Sequence, residues 1–250
     1  MMTILNNKAS DRLIFALDAE GYEQALAWIE LLSGHVGMFK VGKELFTSAG
    51  PEIVKALKER GQKVFLDLKY HDIPNTVAKA AQAAVKLGVD MFNIHASGGS
   101  KMIRETVLAA HNCADQAGKR KPDILAVTVL TSLDDHDLAE IGFSKTAAEL
   151  VCDLARIALD AGVNGVVASP RDIQMLRKKL GDNFLIVTPG IRASGTQGKA
   201  DDQKRTLSAY EAVKAGADFI VVGRPISAAE KPLDACRQIK QEIADALAAG

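Results

Sequence analysis

Residues 64–73 read VFLDLKYHDI and set two carboxylates and an amine close together, Asp67, Lys69 and Asp72. Two further charges keep similar company: Asp18 closes the apolar run IFALD, and Lys40 sits inside MFKVG. A charge embedded in a β-branched or aromatic run is costly to bury without a partner or a use. Strand side chains alternate faces with period two, so Asp67 and Lys69 are expected on one face. Asp72 lies three residues further on, near Pro74 where a helix is expected to start, and strand period gives it no direction. The plain alternative is a structural Asp67–Lys69 ion pair, with Asp72 capping the next helix. Two lysines and three acids near one end of a fold are too many for that alternative, and a charged site is the expectation.

Two later segments have the makings of an anion grip. Thr188-Pro189-Gly190-Ile191-Arg192 and Val222-Gly223-Arg224-Pro225 each set a glycine, which lets a ligand approach the backbone closely, beside an arginine able to hold phosphate through paired hydrogen bonds. Turn glycines and surface arginines produce such short patterns too, and it is their joint placement that points to phosphate. His35, His71, His95, His111 and His136 show no metal-type pairing, and His95 reads as a core or hydrogen-bonded histidine. No nucleophile elbow, Walker loop or zincin motif is present, so chemistry without metal or cofactor is expected.

The elements that must position these residues alternate short apolar runs with longer segments of helical period, the mark of a parallel sheet built from β/α units. Eight runs are expected as strands: Arg12 to Asp18, Met38 to Val41, Lys63 to Lys69, Met91 to His95, Ile124 to Leu130, Gly165 to Ala168, Phe184 to Thr188 and Phe219 to Gly223. Eight units in 250 residues is the size of one (β/α)8 TIM barrel, expected to form a single catalytic domain over residues 1–250. A doubly wound open sheet uses the same units, but the count is eight and no GxGxxG follows the first strand. Leu150, Val151, Leu154 and Ala158 make one apolar helical stripe; Pro51 is placed at a first helical position, and Ser227 with Glu230 has capping-box spacing. Residues 193–206 (ASGTQGKADDQKRT) follow the seventh strand and lack periodicity. They read as a solvated loop or, given where barrels build their sites, as a lid over ligand.

Composition closes off other classes. Lys plus Arg equals Asp plus Glu at 31 each, so no basic excess points to nucleic acid or a membrane surface. Cys113, Cys152 and Cys236 are odd in number and form no CxxC, which fits reduced thiols in a cytoplasmic protein. No apolar run approaches the roughly 18 residues a membrane span needs, and the N-terminus has no signal-peptide pattern.

The ordered set of Asp18, FKVG with Lys40, Asp67-x-Lys69-x-x-Asp72-Ile73, VTVLTS, PGIR, Gln203 and GRPI closely resembles the orotidine 5'-phosphate decarboxylase family over nearly the whole chain. DxKxxD alone occurs in a wider group of barrels; the ordered set is far more specific. The resemblance implies decarboxylation of orotidine 5'-monophosphate to UMP, the last step of de novo pyrimidine synthesis, without a cofactor. It implies Lys69 as the proton donor in an alternating array of Lys40, Asp67, Lys69 and Asp72. It implies a homodimer in which Asp72 and Thr76 reach the neighbouring site. Asp18 with Lys40 would bind the ribose hydroxyls, Thr131 or Ser132 the pyrimidine, and Gln203, Gly223 and Arg224 the phosphate, with Arg192 bordering phosphate and lid and Pro189 among the substrate-binding residues.

Loss of carbon dioxide from a pyrimidine C6 leaves charge in an in-plane orbital that the ring cannot absorb. A fixed ammonium beside that carbon can stabilise the charge and then supply a proton. Two other readings remain open. A magnesium-dependent phosphosugar decarboxylase or aldolase of the same barrel group shares DxKxxD, although Lys40 stands where such enzymes carry a metal-binding carboxylate and would repel the ion. A catalytically silent nucleotide-binding barrel is the other, opposed by the cost of keeping the whole charged array without using it.

Overall fold

In the computed structural model, which describes residues 9–192 and 207–249, the parallel strands close on themselves. Chain order gives β1 (Leu13–Ala16), β2 (Met38–Gly42), β3 (Val64–Tyr70), β4 (Met91–His95), β5 (Asp123–Val127), β6 (Gly165–Val167), β7 (Leu185–Thr188), β8 (Ile191–Arg192), β9 (Leu207–Ser208) and β10 (Phe219–Val222). The barrel runs β1-β10-β7-β6-β5-β4-β3-β2, and the pairing of Leu13 with Ile220 that seals it excludes an open sheet.

Two apolar shells result from strand alternation. Ile14, Met38, Phe65, Met91, Leu125, Leu185, Val187 and Phe219 fill the barrel, while Phe15, Phe39, Phe92 and Ile124 face the surrounding helices. Phe15, Phe39, Phe65 and Phe92 are fully enclosed, each worth about 1.5–3 kcal/mol of burial. The stripe Leu150, Val151, Leu154 and Ala158 lies buried on the helix Ala147–Asp160, as its spacing predicts.

Other local expectations shift. Pro51 occupies the cap of the helix Glu52–Glu59, one residue before its first turn. Ser227 ends the short helix Arg224–Ser227 instead of capping a longer one, because Lys231 and Pro232 start the last helix, Pro232–Ala248. Capping boxes occur at Asp134/Asp137, Thr146/Glu149 and Ser208/Glu211. The expected lid, residues 193–206, lies outside the described residues together with Gln203. Its two flanks are β8 and β9, which pair in parallel, Ile191 with Leu207 and Arg192 with Ser208.

Candidate active site

Above the apolar filling of the barrel, at the C-terminal ends of the strands, a cavity of about 310 Å³ opens. Asp18, Lys40, Asp67 and Lys69 line it with Thr131, Pro189, Gly223 and Arg224. Val127, Val129, Val167, Ile191 and Val221 supply its apolar wall. The lining is therefore part charged and part apolar, a combination suited to a small ligand with both ionic and apolar portions.

The charges alternate along a chain of contacts. Lys40 Nζ lies 3.2 Å from Asp18 Oδ1 and 3.4 Å from Asp67 Oδ2, and Lys69 Nζ donates to Asp67 Oδ1 at 2.6 Å. The side chains of Lys40 and Asp67 are 12% exposed and that of Lys69 26%, so water screens these pairs only partly. Burial alone would raise the Asp67 carboxyl; the ammonium groups of Lys40 and Lys69, with hydrogen bonds from Lys69 and Asn93, override it and hold the carboxyl below its usual range.

Asp67 and Lys69 meet as expected, but not by plain strand alternation. The register between β3 and β4 shifts between Leu66 and Tyr70, and Lys69 has φ 52, the one positive φ at a non-glycine among the described residues. Such a left-handed backbone costs about 1–2 kcal/mol. The Lys69 N–H donates to Asn93 Oδ1 at 2.8 Å, and Asn93 Nδ2 donates to Asp67 Oδ1 at 2.7 Å. Asn93, on β4 and fully buried, is the residue that sequence reasoning passed over.

Thr131 lines the cavity, whereas Ser132 is exposed and does not. Gly223 caps the helix Arg224–Ser227 at the end of β10, and a Cβ on it would stand 3.2 Å from that of Ala16 and 3.5 Å from Asp18 Oδ2. The Arg192 backbone belongs to β8, and its side chain is outside the described part. Asp72 and Thr76 are exposed and absent from the cavity lining; Asp72 Oδ1 accepts from the N–H of Ile73, and the helix cap it was set against is Ile73 itself. Among the described residues the Lys69 ammonium is paired with Asp67 alone.

His95 is not an isolated histidine. Its ring lies 5.3 Å from that of His71, and burial, then His71, Lys43 and Lys69, push it down to about 4 against the opposing pull of Asp67, so it is neutral at pH 7. Asp134, His136 and Asp137 could together hold a metal ion, but they form a helix cap away from the cavity lining.

Comparisons with known proteins converge on one family. Residues 11–239 match the model of the Orotidine 5'-phosphate decarboxylase / HUMPS family. The chain is 52% identical over 248 residues to an orotidine 5'-phosphate decarboxylase of Syntrophus aciditrophicus, covering 99% of this chain and 98% of that one. It is 47% identical to one of Geotalea daltonii, covering 95% and 98%. Among solved structures, an orotidine 5'-phosphate decarboxylase of Lactobacillus acidophilus superposes with a TM-score of 0.80 at 40% identity, covering 92% of this chain and 98% of that one.

Proposed function

The chain belongs to the orotidine 5'-phosphate decarboxylase / HUMPS family and decarboxylates orotidine 5'-phosphate to UMP and carbon dioxide; we propose that Lys69 is its proton donor, in an array with Lys40, Asp67 and Asp72. The observation that carries this reading is an ammonium at the cavity wall, 2.6 Å from a carboxylate that a second ammonium flanks on its other oxygen. As the C6–CO2 bond breaks, its electron pair stays on C6. The Lys69 ammonium stabilises that pair through space and then transfers a proton to it, leaving a neutral amine that solvent reprotonates. Asp67 orients the donor, and Asp18 with Lys40 faces the ribose hydroxyls.

The phosphate falls to Gly223 and Arg224, which line the cavity with Pro189; the family resemblance adds Gln203 to that grip and Arg192 at its border, and Thr131 is favoured over Ser132 as the pyrimidine contact because it alone lines the cavity. Gripping a remote phosphate accelerates chemistry at C6 only if that binding energy closes the site around the array. Asp72 and Thr76 act in the site of a second copy, a reading supported by their exposure and by Ile73 between them, 66% exposed beside them. No helix among the described residues is long and apolar enough to cross a membrane, and the three cysteines are buried free thiols; we place the enzyme in the cytoplasm.

The test is the fall in near-ultraviolet absorbance of orotidylate on adding purified protein with a chelator present. Turnover without added metal is expected. A strict magnesium requirement would instead favour the phosphosugar reading, against which Lys40 stands as a fixed cation. Two individually inactive variants, Lys69→Ala and Asp72→Ala, are expected to regain about a quarter of wild-type activity when mixed, since half the dimers then hold one intact site of two; no recovery after subunit exchange would sink the shared site.

A further inference from the structure

We propose that Asn93 is a positioning residue for the proton donor, an inference resting on the decarboxylase reading above. Its amide links the Lys69 backbone to the Asp67 carboxylate: Oδ1 takes the N–H of Lys69 and Nδ2 donates to Asp67 Oδ1, beside the direct contact of the Lys69 ammonium with the same oxygen. Lys69 holds φ 52 at the point where β3 slips register against β4, so its N–H turns to a side chain where a regular ladder would offer a carbonyl. A buried N–H without that acceptor is unfavourable, and the peptide would relax toward extended backbone, taking the ammonium with it. The second contact fixes the Asp67 carboxylate so that Oδ1 serves Lys69 while Oδ2 faces Lys40.

Few side chains can do both. An ionised aspartate accepts but cannot donate, an aliphatic residue does neither, and a hydroxyl is too short to span the two partners. Asn93 is fully buried and absent from the cavity lining, so it acts through Asp67 and Lys69 and not on substrate. Its loss therefore falls on kcat and spares nucleotide affinity.

The experiment compares wild type, Asn93→Ala and Asn93→Asp by orotidylate turnover from neutral to mildly acidic pH, with the UMP dissociation constant measured for each. Asn93→Ala is expected to lower kcat about 10- to 100-fold with UMP affinity little changed. Asn93→Asp is isosteric and covers the case in which the alanine variant does not fold. It keeps the acceptor for Lys69 but sets a second carboxylate against Asp67; once protonated it donates as the amide does, so its activity rises relative to wild type as pH falls. A defect of folding alone would lower UMP binding and turnover together and would not recover in acid. Wild-type kcat in either variant, or an aspartate variant with the wild-type pH profile, overturns the inference. A wild-type protein that leaves orotidylate unchanged removes the decarboxylase reading as well, whereas an active wild type with unimpaired variants removes this inference alone.

Discussion

The two ends of the barrel use charge in opposite ways. At the N-terminal ends of the strands, Asp90 accepts from Lys58 at 2.6 Å and from the N–H of Val64 at 2.9 Å, and Asp218 accepts from Arg177 at 2.7 Å and from the N–H of Ile186 at 2.8 Å. Arg177 also donates to the carbonyls of Phe184 and Gly216 and lies 4.8 Å over the Phe184 ring. Every one of these acids is tied to backbone at a strand start, so the pairs fix where strands begin. At the mouth, Asp67 answers to two ammonium groups and an amide, and Lys40 and Lys69 line the cavity. Ion pairs whose acids also take a strand N–H build the scaffold; those that line the cavity are left available to a ligand.

Breaking the mouth should cost activity far more than stability. Asp67→Ala leaves Lys40 and Lys69 facing each other without a carboxylate between them, and kcat is expected to fall by roughly 10³-fold. Arg224→Ala, at the proposed phosphate end, should lower kcat/KM by about 10²-fold or more on orotidylate, while a phosphate-free nucleoside reacts equally poorly with variant and wild type; unequal rates on that nucleoside would contradict the assignment.

Breaking the other end should do the reverse. Arg177→Ala strands the Asp218 carboxyl, which burial already raises despite the Ile186 N–H and Arg177, and a loss of about 3–5 kcal/mol in denaturant unfolding is expected with kcat per folded molecule unchanged. A drop in kcat matching that of Asp67→Ala would erase the distinction between the ends.

The smallest effect sharpens the boundary between them. His95, held neutral down to about 4, does not protonate when the unfolded chain does near 6.5. Protons then bind the unfolded state preferentially, so wild-type stability declines as pH falls through that window. His95→Gln should flatten the decline in Tm against pH, whereas an unchanged profile would assign the acid sensitivity elsewhere.

Most of the barrel is legible in the sequence, because eight β-branched runs separated by helical stripes leave little choice of architecture. The charged mouth is legible for a related reason: Lys40 and Asp67 interrupt otherwise apolar strands. The remainder depends on contacts that local pattern does not encode. The β8–β9 pairing involves two residues on each side, too few to show a period. His71 and His95 are far apart in sequence and meet because Tyr70 pairs with Ile94 across neighbouring strands. Alternation placed Lys69 correctly while missing its left-handed backbone, and Asn93 looks like any polar residue in a strand until the bulge beside it is seen. The Ser227–Glu230 spacing failed because Pro232, a stronger helix start, lies just beyond it.

The most direct measurement is turnover of orotidylate by Lys69→Ala with chelator present, read beside its Tm and its affinity for UMP. Decarboxylation should become undetectable, a loss of at least the roughly 10⁴-fold a positioned proton donor supplies, while the protein remains folded and still binds UMP. Turnover within about tenfold of wild type would show that the amine at position 69 is not what meets the charge on C6.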